Sequence, residues 1–539
     1  MKTLIALFEK KFFRDSTFLI ALLIVMGNVR WDAALNTGPC EPHLWRQSDC
    51  VSITQYYAKG APFFEPEMHC RLSDNGTSGK TVAEFPIIYY VIGKIWSVTG
   101  TQYWIYRLFN GLFCLLTMIL LYRSLLKITG VWFWSALGPF LIMASPIYAF
   151  YGISFLTNIP ALNCVIIAWY CILRYYHDSK MRWMIGAVAL FTMAGLLKVS
   201  SLNSFFVLIF VFLLDWMKPG LFRKEGRFFQ KPVLVGALLL MPLVIGAIWY
   251  LGFVEWYCNL HGGRYSFTSP MPFWNSNALV QSHIWKAWFN FTYLQIYPSY
   301  VWLFFIGVML FIVVQFRKFN LFWVLMVSLT FFCHVAFSML FFFCLDGHDY
   351  YHIDLLIFFI FAYAALAKFI SQREKTLSSN RALRLTAFLC VVWINLSCAV
   401  NIKIRSSGCY FPSPFQSLMM DEKSMGLLSH YQLCDFLRND YDYVAVEMTR
   451  RGFDNNTVII AANDPSFNSL LLRMDRPGFT GMSDVMLDSS FTAQRISHGA
   501  ELLIVTFPDE EKRGISKFFG YPLFHYKYIW VYDLRPYKK

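Results

Sequence analysis

Apolar stretches long enough to cross a lipid bilayer recur along most of this 539-residue chain, and they limit what it can fold into. Hydrophobic residues make up 57% of the chain and charged residues only 15%, whereas charged residues approach a quarter of a soluble protein. A helix of about twenty apolar residues spans the hydrocarbon core of a membrane. The pattern therefore predicts a polytopic α-helical membrane protein and argues against a soluble enzyme.

The basic residues give the predicted spans an orientation. We expect about eleven transmembrane helices, at residues 16–30, 104–122, 131–150, 154–173, 183–197, 201–217, 232–253, 298–316, 320–345, 352–367 and 385–402. Lys and Arg cluster in alternate connections, and the short connections on the other side hold almost none apart from Lys198. Because cytoplasmic loops carry the excess of basic residues, the N-terminus is expected in the cytoplasm and residues 31–103, 254–297 and 403–539 outside. This topology explains the net charge of +14 better than nucleic-acid binding does.

The composition changes near residue 403. Residues 1–402 are predicted to form a transmembrane module whose first outer loop covers 31–103. Residues 86–98 in that loop are short and contain Lys94, so we expect an interfacial helix there rather than a span. Residues 403–539 are predicted to form an α/β domain outside the membrane. Its expected strands are 457–462, 501–506 and 527–532, and its expected helical or loop stretches are 427–438 and 465–473.

Six cysteines fall in the predicted outer segments, where an oxidising compartment would allow disulfides. Pairing is most plausible within the group Cys40, Cys50 and Cys70, and between Cys409 and Cys434. The cysteine spacing fits no zinc pattern.

The first outer loop contains a dense polar and aromatic cluster at residues 41–49, Glu-Pro-His-Leu-Trp-Arg-Gln-Ser-Asp. If residues 45–59 form a helix, Arg46 and Asp49 share a face at a three-residue spacing. A nearby cation keeps a carboxylate ionised, and an ionised carboxylate suits a general base that acts on a hydroxyl group. The alternative is a surface salt bridge between the two side chains.

Further candidates lie at the outer ends of the spans. Glu84 precedes the interfacial helix, and the pattern does not decide between capping of that helix and catalysis. Lys198 and Arg107 either extend toward the membrane surface or bind a phosphate. Residues 346–352 hold two His, two Asp and two Tyr on an otherwise uncharged side, which favours a site over a bare turn.

No cofactor is predicted with certainty. The run Glu-Pro-Glu-Met-His at 65–69 leaves a divalent cation open, although an exposed loop is the favoured interpretation. His348 and His352 would ligate a metal only if their connection were helical, so metal binding is the weaker alternative there. We therefore assign no metal ligands.

The order of four motifs resembles the GT-C superfamily of polytopic glycosyltransferases (family 39-like). The motifs are His-Leu-Trp-Arg-Gln-Ser-Asp at 43–49, Glu-Phe-Pro at 84–86, Gly-Leu-Leu-Lys at 195–198 and His-Asp-Tyr-Tyr at 348–351. The bacterial branch akin to protein O-mannosyltransferases and the lipid A aminoarabinose transferase is the most similar. The resemblance implies a GT-C fold with a C-terminal periplasmic α/β domain, in a bacterial inner membrane.

The resemblance also implies a reaction. A hexosyl or pentosyl group would move, with inversion, from a polyprenyl-phosphate donor to a hydroxyl on a protein, lipopolysaccharide or cell-wall acceptor. Asp49 would be the general base, with Arg46 and Glu84 beside it in catalysis. The residues expected at the donor phosphate are Lys198, Arg107 and Arg264, and those expected to bind substrate are His43, Trp45, Gln47, His348, Tyr350 and Tyr351.

Two departures and one rival interpretation qualify this resemblance. Many relatives have an Asp-Glu pair in the first motif, whereas here Ser48 precedes a single Asp49. Phe85 stands where the lipid A enzymes carry a lysine, which counts against aminoarabinose as the sugar. The rival is a transporter or a flippase for lipid-linked sugars. Transporters usually place charged or broken segments at the membrane midplane, whereas the unusual polar residues here gather at outer ends and in loops.

Overall fold

A computed structural model describes residues 11–222, 227–265, 270–373, 375–407, 424–428, 430, 434, 438–462, 464–481, 489–506 and 520–538. Most of these residues are helical. The helices are, in chain order, α1 (Lys11–Asn28), α2 (Trp31–Ala34), α3 (Leu44–Ala58), α4 (Ile87–Thr99), α5 (Tyr103–Thr129), α6 (Trp132–Met143), α7 (Pro146–Tyr151), α8 (Asn158–Asp178), α9 (Met181–Leu197), α10 (Asn203–Met217), α11 (Pro232–Ala247), α12 (Glu255–His261), α13 (Ala278–Ala287), α14 (Tyr293–Ile296), α15 (Ser299–Val314), α16 (Leu321–Leu340), α17 (Leu356–Arg373), α18 (Lys375–Ser379), α19 (Arg381–Ser407), α20 (Asp440–Arg450), α21 (Ser469–Arg473) and α22 (Ser489–Ser497).

Within the described ranges, seven helical segments are long and apolar enough to cross a membrane, which confirms a polytopic helical protein. These segments are Tyr103–Thr129, Asn158–Asp178, Val199–Met217, Pro232–His261, Leu321–Leu340, Asp349–Gln372 and Arg381–Arg405. An eighth is formed if Ala278–Ile296 and Ser299–Val314, which meet at 83°, count as one broken span.

The other predicted spans fall on helices that are shorter or more charged than expected. The helix α1 begins with Lys11, Arg14 and Asp15. The span expected at 131–150 is broken between α6 and α7, because Pro146 begins a new helix. With 12 residues, α6 is about 18 Å long, well short of the roughly 30 Å hydrocarbon core.

The expected interfacial helix is present as α4, a 13-residue apolar helix. Gly93 allows it to lie directly against α3, because a Cβ atom at this position would come within 2.6 Å of Tyr57 Cβ and 2.8 Å of Thr54 O. The two helices therefore pack backbone to backbone. The location of α4 at the membrane surface stays a prediction.

The chain forms two compact units. One, which we call the helical unit, consists of Met1–Asn36, Tyr106–Ala247 and Ser269–Ser429. The other, which we call the mixed unit, consists of Thr37–Ile105, Ile248–Thr268 and His430–Lys539. The first long loop of the sequence thus shares a unit with the C-terminal residues.

The mixed unit contains a five-stranded sheet in the order β2-β1-β3-β5-β4. Its strands are β1 (Ile459–Ala461), β2 (Gly478–Thr480), β3 (Leu502–Thr506), β4 (Phe524–Tyr526) and β5 (Ile529–Asp533). β1 is parallel to β2 and β3, whereas β5 is antiparallel to β3 and β4. The three predicted strands are confirmed as β1, β3 and β5. The pattern missed β2 and β4, because Gly-Phe-Thr and Phe-His-Tyr do not form an apolar run like the ones that contain β1, β3 and β5.

The expected disulfides within the 40/50/70 group are wrong. Cys40, Cys50 and Cys70 are free thiols. The Cys50 sulfur lies 3.2 Å from Tyr89 Oη, and the Cys70 sulfur lies 3.8 Å from the Thr480 hydroxyl. Cys409 lies outside the described residues, and so does most of the helical stretch expected at 427–438.

Candidate functional site

The first motif forms the start of α3, which begins one residue earlier than predicted. His43 is the N-cap residue and has a left-handed backbone conformation, with φ of 64°. Gln47 Nε2 donates hydrogen bonds to Cys40 O (2.6 Å) and Pro42 O (3.3 Å), which fixes the turn that leads into the helix. Trp45 is exposed, as a residue that contacts a substrate would be.

Arg46 bridges two buried carboxylates. Its Nη1 lies 3.5 Å from Asp49 Oδ2, and its Nη2 donates a hydrogen bond to Glu84 Oε1. Tyr265 Oη donates to Glu84 Oε2 at 3.4 Å, and the guanidinium lies 5.1 Å from the centre of the Tyr265 ring. Asp49 is 4% exposed and Glu84 is 8% exposed. The structure thus brings together the three residues that the sequence assigned to catalysis.

A fourth side chain, that of Asn468, contacts the Asp49 carboxylate from the sheet-containing part of the mixed unit. Its Nδ2 donates to Asp49 Oδ1 at 2.6 Å. Sequence reasoning missed this residue, since 419 positions separate it from Asp49 and nothing in the local pattern connects them.

The surroundings of Asp49 shift its acidity. Burial raises the pKa of Asp49 from 3.8 to about 6, and the Arg46 charge and the Asn468 hydrogen bond counter part of this rise. Glu84 also raises the pKa of Asp49, because its negative charge disfavours a second negative charge nearby. Asp49 is therefore mostly ionised at neutral pH yet can still accept a proton.

Two residues close to Asp49 in the sequence carry buried polar atoms without a hydrogen bond. Among the described residues, Arg46 Nη1 and Ser48 Oγ are buried and make no hydrogen bond. Buried polar atoms are normally paired in folded proteins. Arg46 Nη1 lies 3.5 Å from Asp49 Oδ2, the carboxylate oxygen that does not contact Asn468.

The helical unit holds a second group of candidates around Lys198. Gly195 lets Leu202 approach closely, since a Cβ atom there would lie 2.9 Å from Leu202 Cδ1. The chain leaves α9 at Leu197 and becomes extended at Lys198. The Lys198 ammonium lies 4.4 Å from the centre of the Tyr351 ring and 5.9 Å from that of Tyr350. The structure thus places this lysine beside two of the aromatic residues expected at the substrate.

The rest of the segment at 346–352 is anchored by hydrogen bonds inside the helical unit. His348 Nδ1 donates to Asp346 O at 2.8 Å. Asp349 accepts hydrogen bonds from Tyr151 Oη (2.6 Å) and from Arg405 Nη2 (3.2 Å). Asp349 and Arg405 are fully buried, so this ion pair fixes the segment that carries Tyr350 and Tyr351.

The two arginines proposed for the donor phosphate have protein partners. Arg107 is 3% exposed; it donates to Ile153 O at 2.8 Å and lies 4.4 Å from the centre of the Phe155 ring. Arg264 is more exposed and donates to both oxygens of Glu255 at 3.0 Å and 2.5 Å. Their role at a phosphate stays a prediction.

The divalent-cation alternative at 65–69 is wrong, because the three side chains have separate partners. Glu65 pairs with Lys80 Nζ, Glu67 accepts from the Gly79 N–H, and His69 contacts Ser52 and Asp475. Across the described part of the chain, no three or more His, Cys, Asp or Glu side chains are grouped to hold a metal ion.

Comparisons with known proteins connect this geometry to a class. Residues 83–250, which include Glu84, Arg107 and Lys198, match the family model described as dolichyl-phosphate-mannose-protein mannosyltransferase. No curated protein sequence matches the chain.

Three solved structures share the architecture. ArnT from Cupriavidus metallidurans bound to undecaprenyl phosphate matches with a TM-score of 0.56 at 13% identity, covering 96% of this chain and 97% of that chain. AftD, an arabinofuranosyltransferase from Mycobacteria, matches with 0.51 at 10% identity, covering 96% of this chain and 40% of that chain. The apo oligosaccharyltransferase of Archaeoglobus fulgidus matches with 0.50 at 10% identity, covering 93% of this chain and 70% of that chain.

Because the sequence identities are low, these solved structures establish the fold alone. It is the GT-C fold of polytopic membrane proteins. Together with the family match, the fold indicates a membrane glycosyltransferase of the GT-C superfamily. The resemblance drawn from the four motifs is confirmed at this level.

Proposed function

We propose that this chain transfers a sugar from a polyprenyl-phosphate donor to a hydroxyl acceptor at the outer face of a bacterial inner membrane. The observation that carries the proposal is the buried Asp49 carboxylate, held between Arg46 and Asn468 with one oxygen facing a buried, unbonded N–H. The similarity to ArnT, which was solved with undecaprenyl phosphate, supports the donor class. The family match over residues 83–250 supports sugar transfer.

The proposed chemistry is a single displacement. Asp49 Oδ2 removes the proton of the acceptor hydroxyl, and the acceptor oxygen attacks the anomeric carbon of the sugar. The bond from that carbon to the phosphate oxygen breaks, and its electron pair leaves with the polyprenyl phosphate. One displacement inverts the anomeric configuration, and the phosphate needs no protonation to leave. A base with a pKa of about 6 is ionised at neutral pH and still takes up a proton readily.

Cationic side chains would stabilise the charge that develops on the departing phosphate. Arg46 is the candidate in the mixed unit, where Nη1 can also hold the acceptor oxygen. Lys198, with its ammonium over the Tyr351 ring, is the stronger candidate in the helical unit. Arg107 and Arg264 are weaker candidates because each would have to give up a protein partner.

The substrate contacts follow the same division. Trp45, which is exposed in the mixed unit, and Tyr350, which is buried in the helical unit, are each proposed as a residue that stacks against the sugar, and His43, Gln47, His348 and Tyr351 are proposed as further substrate contacts. The acceptor is proposed to be a hydroxyl on a protein, on lipopolysaccharide or on a cell-wall polymer.

The test uses purified protein in lipid nanodiscs with a panel of hexosyl and pentosyl polyprenyl phosphates, and membrane extract as acceptor. Wild type should release free polyprenyl phosphate, and Asp49→Asn should reduce the rate at least about a hundredfold, the usual contribution of a general base. Asp454→Asn, the same change at an exposed aspartate of the mixed unit, is the matched control and should stay active.

Two outcomes count against the proposal. Equal release by wild type and Asp49→Asn would remove Asp49 from the mechanism and turn attention to Glu84. Movement of an intact lipid-linked sugar across the bilayer, with no release from any donor, would favour the flippase interpretation. The anomeric configuration of the product, read by NMR, tests inversion.

A further inference from the structure

We propose that Asn468, in the sheet-containing part of the mixed unit, is a positioning residue that orients the Asp49 carboxylate and favours its charged form. The inference rests on the proposed function, in which Asp49 must be ionised to act as a base. It adds a role for the C-terminal residues of the chain, which the motif resemblance does not cover.

Hydrogen-bond donors fix which end of the Asn468 amide faces Asp49. The Cys70 backbone N–H, which can only donate, lies 3.0 Å from Asn468 Oδ1, so this atom must be the amide oxygen. The NH2 group therefore points to Asp49 Oδ1 at 2.6 Å. A carboxylate only accepts, so both contacts require the same orientation of the amide.

The local fold frees the Asn468 side chain for this contact. Asn468 is the N-cap residue of α21, yet its side chain makes no capping hydrogen bond, although Asn at this position usually does. Other side chains serve the first N–H groups of the helix: Ser466 Oγ accepts from Ser469 N (2.9 Å), and Asp464 Oδ2 accepts from Leu470 N (2.8 Å).

The first loop is held to the sheet where Cys70 meets Asn468. Gly478 N donates to His69 O (3.0 Å), and Arg71 N donates to Gly478 O (2.7 Å), so this part of the loop continues the sheet beyond β2. Gly478 is required here, because a Cβ atom would lie 1.9 Å from Ile459 O. The contact between Asn468 and Asp49 is thus supported by backbone hydrogen bonds on the loop side.

The charge state of Asp49 depends on few groups. The titratable or charged side chains that face it are Arg46, Cys50, Cys70, Glu84 and Tyr265. Burial raises the pKa of each cysteine to about 12 and that of Tyr265 well above its ordinary value, so these three stay neutral near pH 7. Loss of the Asn468 donor leaves Arg46 alone to favour the charged carboxylate.

The first experiment needs no substrate. Protein in nanodiscs is titrated by infrared spectroscopy, and the carbonyl band of protonated Asp49 is identified by its loss in Asp49→Asn. In Asn468→Leu this titration should move upward by about one pH unit or more, since a charge-assisted hydrogen bond is lost. In the nearly isosteric variant Asn468→Asp, the Asp49 titration should move upward at least as far, because the new carboxylate at position 468 faces that of Asp49. Asn456→Asp, at an exposed asparagine of the same unit, should leave it unchanged.

The second experiment follows polyprenyl phosphate release against pH. The acid limb of wild type should lie near the Asp49 titration, and in both Asn468 variants it should move upward, with activity recovering above about pH 8. An unchanged infrared titration in folded Asn468→Leu and Asn468→Asp, or an equal loss of activity at every pH, overturns the inference. A shifted titration in a protein that releases nothing from any donor keeps the inference about Asn468 and refutes the proposed function.

Discussion

Asp49→Asn should make the folded protein more stable at neutral pH while it abolishes the proposed activity. Burial raises the pKa of Asp49 from its ordinary value of 3.8 to about 6. Its charged form is therefore disfavoured by folding, and Asn has a similar shape without that charge. Asn468 can donate to the new amide oxygen, and Arg46 keeps Glu84 as its partner.

The size of the effect follows from proton linkage. A carboxyl with a raised pKa binds more protons in the folded state than in the unfolded state between pH 3.8 and about 6. Stability is thus highest below the unfolded value and is lost as the pH rises through the folded value. A rise of about two pKa units at roughly 1.4 kcal/mol each amounts to about 3 kcal/mol at neutral pH, as an upper limit. For a unit of this size that corresponds to several degrees in melting temperature.

Thermal unfolding of nanodisc-embedded protein, followed by tryptophan fluorescence, measures the difference. The melting temperature of Asp49→Asn should exceed that of wild type at about pH 7.5, and the gap should close as the pH falls toward about 4. The exposed control Asp454→Asn should show no such pH-dependent gap. Equal melting temperatures at neutral pH, or a gap that is the same at every pH, would refute the assignment of a raised pKa to Asp49.

Three further substitutions test the remaining contacts. Arg46→Lys keeps the charge but cannot bridge both carboxylates with a planar fork, so the rate of polyprenyl phosphate release should fall at least about tenfold; unchanged rates would contradict the bridging role. Glu84→Gln removes a negative charge that raises the pKa of Asp49, so the acid limb of the pH profile should move downward, opposite to the Asn468 variants. Lys198→Met should lower the rate of polyprenyl phosphate release by roughly tenfold or more, and Lys198→Arg should lower it much less, because only arginine keeps the positive charge. The release rate is measured against donor concentration for both variants. Equal losses in Lys198→Met and Lys198→Arg would contradict a role for the positive charge.

The sequence identified the local part of the candidate site. A helix at 45–59 was expected from the pattern, and α3 places Arg46 and Asp49 on one face at the expected three-residue spacing. Glu84 was named as a catalytic candidate from its place before α4, but its hydrogen bond to Arg46 crosses 38 positions. Helical periodicity determines neighbours one turn away and carries no information about such a contact.

The wrong expectations also concern long-range contacts. Cys50 and Cys70 are close in sequence, yet one thiol contacts Tyr89 and the other contacts Thr480, since they lie on different elements. A regular extended segment would place Glu65, Glu67 and His69 on one face, but the chain bends at His69. His69 contacts Ser52, while Glu65 binds Lys80 and Glu67 accepts a hydrogen bond from the Gly79 N–H.

The placement of Asn468 indicates why an asparagine of this kind escapes sequence analysis. The run Asp464 to Ser469 looks like an ordinary helix start, and the usual interpretation assigns the capping role to Asn468. In the structure Asp464 and Ser466 serve the helix, and the asparagine side chain is left over for the carboxylate. The Asn468 amide favours the charged form of Asp49, and the Glu84 carboxylate, on the other side of Arg46, opposes it. The pKa of Asp49 therefore depends on α3, on Glu84 before α4 and on Asn468, which are far apart in the sequence and meet only in the fold.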